Sequence, residues 1–177
     1  MKPLKPLINA VLFQIVWFVC LLAGNVWAVV ITALYLVLHD RFFMRRRREW
    51  RLLLAFLGLG ILVDGTLFQL GIFASTEDFL SAYKLPPIWL LCLWISVGTL
   101  FVHSLAFLQS RYWLSAVLGA IGPTMSYFAG ASLAGITLAQ PTVLTLGIIA
   151  IIWALVIPFG VWMSERWGLF QSSEVAK

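Results

Sequence analysis

Residues 52–73 read LLLAFLGLGILVDGTLFQLGIF, a run of aliphatic, glycine and aromatic residues whose one ionisable side chain is Asp64. A helix that crosses a hydrocarbon layer of about 30 Å needs roughly 20 mainly apolar residues, and this run supplies them. Asp64 stands 12 residues into it, roughly 18 Å deep at about 1.5 Å of rise per residue. A carboxylate near the bilayer centre costs at least ~2.5–3.5 kcal/mol on insertion scales, so it must meet a partner, a wet cavity or a proton. This stretch therefore sets both the class of the protein and its first candidate functional residue.

The rest of the chain agrees. Of its 177 residues 62% are apolar and 11% charged, and the mean hydropathy is +0.99. Soluble domains run near 45–50% apolar and about 25% charged. A soluble core of this size cannot hide so much apolar surface, which excludes a soluble globular protein, a disordered chain and a disulfide-rich module. Cys20 and Cys92 both lie inside apolar runs and read as small buried side chains.

Three further runs are clear: 86–108, 114–138 and 142–163. The stretches ASTEDFLSAYKLP, QSRYW and AQP separate them, each polar or proline-marked. Upstream, residues 6–38 are too long for one crossing, and Gly24-Asn25 is a turn dipeptide. We divide this stretch into spans 7–23 and 26–43, with Arg41 snorkelling at the end of the second. Lys2 and Lys5 precede an apolar run as in a signal peptide, but no A-x-A-like cleavage site follows. The expected fold is all-α: one domain over residues 1–177, a bundle of six transmembrane helices at 7–23, 26–43, 52–73, 86–108, 114–138 and 142–163.

Orientation follows from the basic residues. Six spans put Lys2, Lys5, Arg41, Arg45, Arg46, Arg47, Arg48, Arg51, Arg111, Arg166 and Lys177 on one side and only Lys84 on the other, beside Glu77 and Asp78. Both termini are thereby expected in the cytoplasm. A five-span alternative, with residues 7–38 as one tilted helix, places Lys2 and Lys5 outside. The segment DRFFMRRRREWR reads first as a stop-transfer signal. Arg45, Arg46, Arg47 and Arg48 are also candidates for anionic lipid contact, at about 1 kcal/mol per basic residue near the surface. A loop held against an anionic membrane is a poor site for nucleic acid, and none is expected.

Polar residues inside the spans make the site candidates. Asp64 and His103 lead, as acid/base or headgroup-contacting groups. Cys92, Ser96, Thr99 and His103 recur at spacings of four, three and four, one inward-facing stripe. Asn9 and Gln14 share the depth of His103, and Ser126 and Tyr127 that of Asp64. Together they outline a polar pocket open to the cytoplasm, with Trp17 and Trp94 as lining. The alternative for Asn9, Gln14 and Ser126 is a network of interhelical hydrogen bonds, each worth ~0.6 kcal/mol. Gly60 and Gly71 flank Asp64 on one helical face and leave room for a neighbour. Gly119, Pro123, Ser126, Gly130 and Ala134 form a small-residue face, either a packing seam or a kinked, substrate-lining helix. No H-x-x-x-H, G-x-S-x-G or P-loop occurs, and Asp64 with His103 is too few ligands for a metal. No cofactor and no metal are expected. His39 and Asp40, at a membrane edge, read as interfacial residues.

The segments NAVLFQIVWF, VDGTLFQLG, PPIWLLCLW, FVHSL and LGAIGPTMSYFAG, taken together, resemble an uncharacterised bacterial inner-membrane family, the domain-of-unknown-function family DUF2878. The resemblance runs roughly from Leu7 to Leu138 and picks out Asn9, Gln14, Trp17, Asp64, Pro87, Trp89, Trp94, His103, Ser104, Gly119, Gly122, Ser126, Tyr127 and Gly130. The family's fifth span carries two adjacent glycines before a proline, whereas here Gly122 alone precedes Pro123. Genes for cyclopropane-synthase-type methyltransferases often lie beside this family. The resemblance thus implies a multi-pass inner-membrane protein working in or beside membrane-lipid metabolism, with membrane lipids and lipid-modifying enzymes as partners. Two other functions fit the same residues: a small proton-coupled transporter or channel subunit using Asp64, and a scaffold for partner enzymes.

Overall fold

The computed structural model describes residues 4–75 and 82–170; Lys2, Glu77, Asp78 and Lys177, used above for orientation, lie outside them. Five helices are long and apolar enough to cross a membrane. They are α1 (Leu4–Leu22), α2 (Gly24–Leu38, continued by a π-helical turn His39–Phe43), α3 (Glu49–Gln69), α5 (Tyr112–Leu133) and α6 (Thr142–Arg166). Between α3 and α5 lies the short helix α4 (Ile88–Gly98). Two three-residue strands, β1 (Phe73–Ser75) and β2 (Ile136–Leu138), pair antiparallel, with Phe73 opposite Leu138 and Ser75 opposite Ile136.

The amino-terminal apolar stretch forms two helices. The break falls at Ala23, and Gly24 takes a φ of +78°, a conformation open to glycine because it has no Cβ. Asn25 then reaches across the turn, its Oδ1 accepting the Trp89 backbone N–H at the start of α4.

The fourth expected span departs from the sequence reading. Residues 86–108 are not one crossing helix: α4 has 11 residues, about 16 Å at 1.5 Å of rise each. The hydroxyls of the polar stripe account for its end. Ser96 Oγ donates to the Cys92 carbonyl and Thr99 Oγ1 to the Ser96 carbonyl, both at 2.7 Å. Such side-chain bonds compete with the helical ladder and bend it. From Thr99 the chain runs through three-residue turns to a short 3₁₀ turn, Ala106–Leu108. Irregular backbone at membrane depth is tolerated where protein covers it, and Phe101, His103 and Leu108 are all buried.

The third and fifth spans also end early. α3 stops at Gln69 and α5 at Leu133, each followed by a glycine of positive φ, Gly71 and Gly135, the common way to close a helix. Gly71 therefore sits in a turn and not on the helical face of Asp64. Residues 73 and 136–138, expected to be helical, pair as strands instead.

α4 is the hub, packed against α1, α2 and α3, while α5 and α6 form a closely packed pair that meets α1 and α3 more lightly. Glycines set the close crossings. A Cβ on Gly119 would lie 2.3 Å from the Trp153 carbonyl oxygen, and one on Gly98 would lie 3.1 Å from the Leu53 backbone. The outer surface is apolar, with Val26, Leu62, Val143, Leu144 and Leu155 exposed, as a lipid-facing wall requires. One end of the bundle gathers the basic residues: Lys5 donates to the Phe42 carbonyl, Arg46 to that of Gly168, and Ser110 and Tyr112 to Glu165. Lys84 lies at the other end, its carbonyl bonded to Gln69.

Candidate functional site

Asp64 is fully buried on α3, and its carboxylate accepts two hydrogen bonds from different helices. Trp94 Nε1–H of α4 donates to Oδ2 at 2.6 Å. The Tyr127 hydroxyl of α5 lies 2.9 and 3.0 Å from the two oxygens. Gly60, one turn before Asp64, makes the arrangement possible: a Cβ there would lie 2.4 Å from Trp94 Cγ. The rings are held in turn, Trp94 stacked on Trp153 at 4.6 Å and Tyr127 on Phe73 at 5.6 Å. Indole N–H is a donor only, so this carboxylate serves as the acceptor that ties three helices together.

In front of that wall lies an elongated cavity of about 610 Å³, within the 300–1,000 Å³ typical of small-molecule sites. It separates the α5–α6 pair from α1 and α4, and its α5 wall runs from Leu118 to Ala131, about 20 Å along the axis. Gln14, Trp17, Trp94, Ser126 and Tyr127 all line it, among Leu, Val, Ile and Met side chains. Trp17 Nε1–H donates to Ser126 Oγ at 2.7 Å, bridging α1 to α5. Gly122 and Pro123 face the cavity as well, and α5 continues as helix through Pro123.

Asn9, Asp64 and His103 do not line it, so the lining is far more apolar than the sequence suggested. Asp64 stands behind the wall formed by Trp94 and Tyr127. Asn9 belongs to a separate buried network: its Nδ2 donates to Tyr35 Oη at 3.0 Å, its Oδ1 accepts from Ser104, and Tyr35 Oη meets Thr99 Oγ1 at 2.6 Å. These bonds hold α1 and α2 against the irregular chain after α4.

Residues 6–159 match the family model described as "Protein of unknown function (DUF2878)". The chain belongs to that family. The matched region contains the cavity-lining residues and, among the described residues, the two buried carboxylates, Asp64 and Glu49. No curated protein and no solved structure matches the chain.

His103 does not reach Asp64. In this DUF2878 protein it joins His39 and Glu49, so that both histidines of the chain meet one buried acid. His103 Nε2 lies 3.3 Å and His39 Nε2 3.6 Å from Glu49 Oε2. The other oxygen, Oε1, accepts the backbone N–H groups of Arg45 at 3.0 Å and Arg46 at 3.3 Å. Glu49 begins α3 and Asp64 lies 15 residues later, about 22 Å along the helix axis. His39, read from the sequence as lying at a membrane edge, is fully buried inside the bundle. Sequence reasoning missed Glu49 because it follows four arginines. The signal that could have found it is depth: His39, Glu49 and His103 all fall at the same membrane edge.

Arg45–Arg48 form the loop above this cluster and are exposed. Arg47 pairs with Asp40 at 2.6 Å, and Asp40 also accepts from Trp50 Nε1 at 2.9 Å.

Proposed function

We propose that this multi-pass membrane protein holds the acyl chain of a membrane lipid in the cavity between α1, α4, α5 and α6, and acts in or beside membrane-lipid metabolism. The observation that carries this reading is the cavity itself: long and lined mostly by aliphatic and aromatic side chains, with Gln14, the Trp17–Ser126 bridge and Tyr127 among its few polar contacts. An elongated apolar space suits an alkyl chain, which gains roughly 0.8 kcal/mol for each CH₂ taken out of water. Within the membrane the gain is smaller, so selectivity rests on the few polar contacts and on the stacked Trp94–Trp153 wall.

In this reading Asp64 positions the cavity wall by fixing Trp94 and Tyr127, and the exposed Arg45–Arg48 loop attracts anionic headgroups. The arginine-rich end faces the cytoplasm of a bacterial inner membrane, in keeping with the excess of basic residues there, and lipid-modifying enzymes are the partners it would serve. Roles as a proton-coupled transporter through Asp64, or as a scaffold, receive less support. Both carboxylate oxygens of Asp64 are engaged by donors, and the cavity is a ready-made binding site.

The test is photo-crosslinking in nanodiscs with a phospholipid carrying a photoactivatable acyl chain. Adducts should map to Leu118–Ala131 of α5 and to α4. Gly122→Trp, at a position where a Cβ meets nothing within 4 Å, should fill the cavity and lower crosslinking there at least about ten-fold, or 1.4 kcal/mol in affinity. Adducts confined to outward residues such as Val143 and Ile151, and unchanged by Gly122→Trp, would sink the proposal. A second measurement is the acyl-chain profile of a deletion strain, which should change.

A further inference from the structure

The cluster of His39, Glu49 and His103 lies away from the cavity and takes no part in lipid binding as proposed. Three observations about it go together. The donor atoms all lie within 4.8 Å of one another, and all three side chains are buried. Neither ring nitrogen of His39 has a hydrogen-bond partner, although the residue is fully buried. The contacts to Glu49 are also long: His103 makes a hydrogen bond to Oε2 and His39 stands at ion-pair distance from the same oxygen. Charge-assisted N–H···O bonds run about 2.7–2.9 Å, whereas these separations are 3.3 and 3.6 Å.

Those lengths have another meaning. Zinc bonds to imidazole nitrogen and carboxylate oxygen are about 2.0–2.2 Å, and tetrahedral coordination then sets neighbouring donor atoms about 3.3–3.6 Å apart. Glu49 Oε2 stands at those two distances from the two imidazole nitrogens, and the three donor atoms, within 4.8 Å of one another, would draw closer on binding. From this we infer that His39, Glu49 and His103 form a binding site for a divalent transition-metal ion of the zinc type.

The chemistry of the donors favours such an ion over magnesium or calcium. Imidazole is a ligand for zinc and its neighbours, while hard cations select oxygen. A metal would give His39 Nε2 the partner it lacks, leaving Nδ1 as the ring's remaining polar atom. It would also give the buried carboxylate a full positive counter-charge, which the arginine side chains above do not supply. Arg45 and Arg46 contribute their backbone N–H groups to Oε1, and these bonds orient Oε2 toward the histidines, the outer-shell role usual for a ligating carboxylate. Phe43 stacks on His39 at 5.8 Å and meets His103 edge-on at 5.8 Å, so one side of the site is dry.

The backbone is arranged to match. His39 opens the π-helical turn after α2, Glu49 opens α3, and His103 lies in the irregular chain after α4. Single π turns inside helices occur often at functional sites. Two of the three ligands thus come from stretches where a regular helix is given up, and all three converge beneath the arginine loop.

The experiment uses the full chain in detergent, stripped with a chelator and titrated with Zn²⁺. About one equivalent per chain should bind, with X-ray absorption showing a first shell of nitrogen and oxygen. His39→Ala, Glu49→Gln and His103→Ala should each weaken binding at least about ten-fold, while Glu49→Asp and His103→Cys should retain it. Near-ultraviolet circular dichroism of the tryptophans separates a lost ligand from a lost fold. Mg²⁺ in large excess should not displace the ion. The inference fails if the folded wild-type chain binds no zinc, if the three variants bind as well as wild type, or if Mg²⁺ competes. None of these outcomes bears on the cavity, which the crosslinking experiment tests separately.

Discussion

Helix α3 carries two buried carboxylates, Glu49 at its first residue and Asp64 fifteen residues on, each no more than 1% exposed. The chain meets the same cost of burial with different neighbours. Asp64 is surrounded by an indole and a phenol, and the indole can only donate. Both its oxygens are met by donors from two other helices, and the result is a tie between helices. Glu49 faces two imidazoles, which donate or accept as their tautomer dictates, and its contacts to them are long. That set is open to a cation. Burial alone therefore does not say what an intramembrane acid is for; the valence of its neighbours does.

The largest expected effect sharpens this contrast. Asp64→Leu strands the Trp94 N–H and the Tyr127 hydroxyl, and an unpaired buried donor costs ~1–3 kcal/mol. Unfolding in mixed micelles should show a loss of about 2–5 kcal/mol, the same with zinc or without it. The Glu49 centre should behave in the opposite way. Zinc at a hundred-fold excess over its dissociation constant should stabilise the wild type by ~2.7 kcal/mol and Glu49→Gln by no more than ~1.4 kcal/mol. Loss of the zinc response in Asp64→Leu would mean that the two centres form one coupled unit, and the distinction drawn here would break.

Much of this was legible in the residues. Asp64 was marked by its depth, and the α1–α2 break by Gly24-Asn25. The cavity wall of Pro123, Ser126 and Gly130 was marked by small-residue spacing, although that spacing serves equally for a packing seam. Two things were hidden. Hydropathy treats residues 86–108 as one apolar run, because it counts composition and not the competition of Ser96 and Thr99 hydroxyls for backbone carbonyls. The His39–Glu49–His103 cluster was hidden because its members are 10 and 54 residues apart: His39 looks interfacial, Glu49 follows an arginine run, and His103 falls on the polar stripe assigned to the Asp64 site. Only the end of α4 brings His103 beneath the loop.

A middle-sized effect tests whether the Asp64 tie depends on the space around it. Gly60→Ala places a Cβ 2.4 Å from Trp94 Cγ, and Trp94 has no slack because it stacks on Trp153. Overpacking of this kind costs ~1–3 kcal/mol, and Trp94 fluorescence should report the displaced ring. Gly122→Ala, also on a helix but with open space around its Cβ, should be neutral or stabilising by about 0.5–1 kcal/mol, since alanine is the better helix former. Equal losses at both positions would show that α3 and α5 are limited by backbone packing, and that the Trp94 contact has no special part in it.

The smallest effect is the most specific. Tyr127→Phe removes one donor to Asp64 and keeps the ring, whereas Trp94→Phe removes the other donor and also trims the indole that stacks on Trp153. Interhelical hydrogen bonds in membranes average only ~0.6 kcal/mol by double-mutant cycles, because the unfolded chain in the membrane also finds partners. A cycle of Tyr127→Phe against Asp64→Asn should return a coupling of that size. Trp94→Phe against Glu49→Gln should return none, since about 22 Å of helix separates the two acids. The low value is itself informative. A tie worth so little in stability is retained on geometric grounds: it fixes the planes of Trp94 and Tyr127, and those two rings are the wall that any occupant of the cavity would touch. Tyr127→Phe should therefore change which acyl chains crosslink in the cavity more than it changes how firmly the bundle holds together.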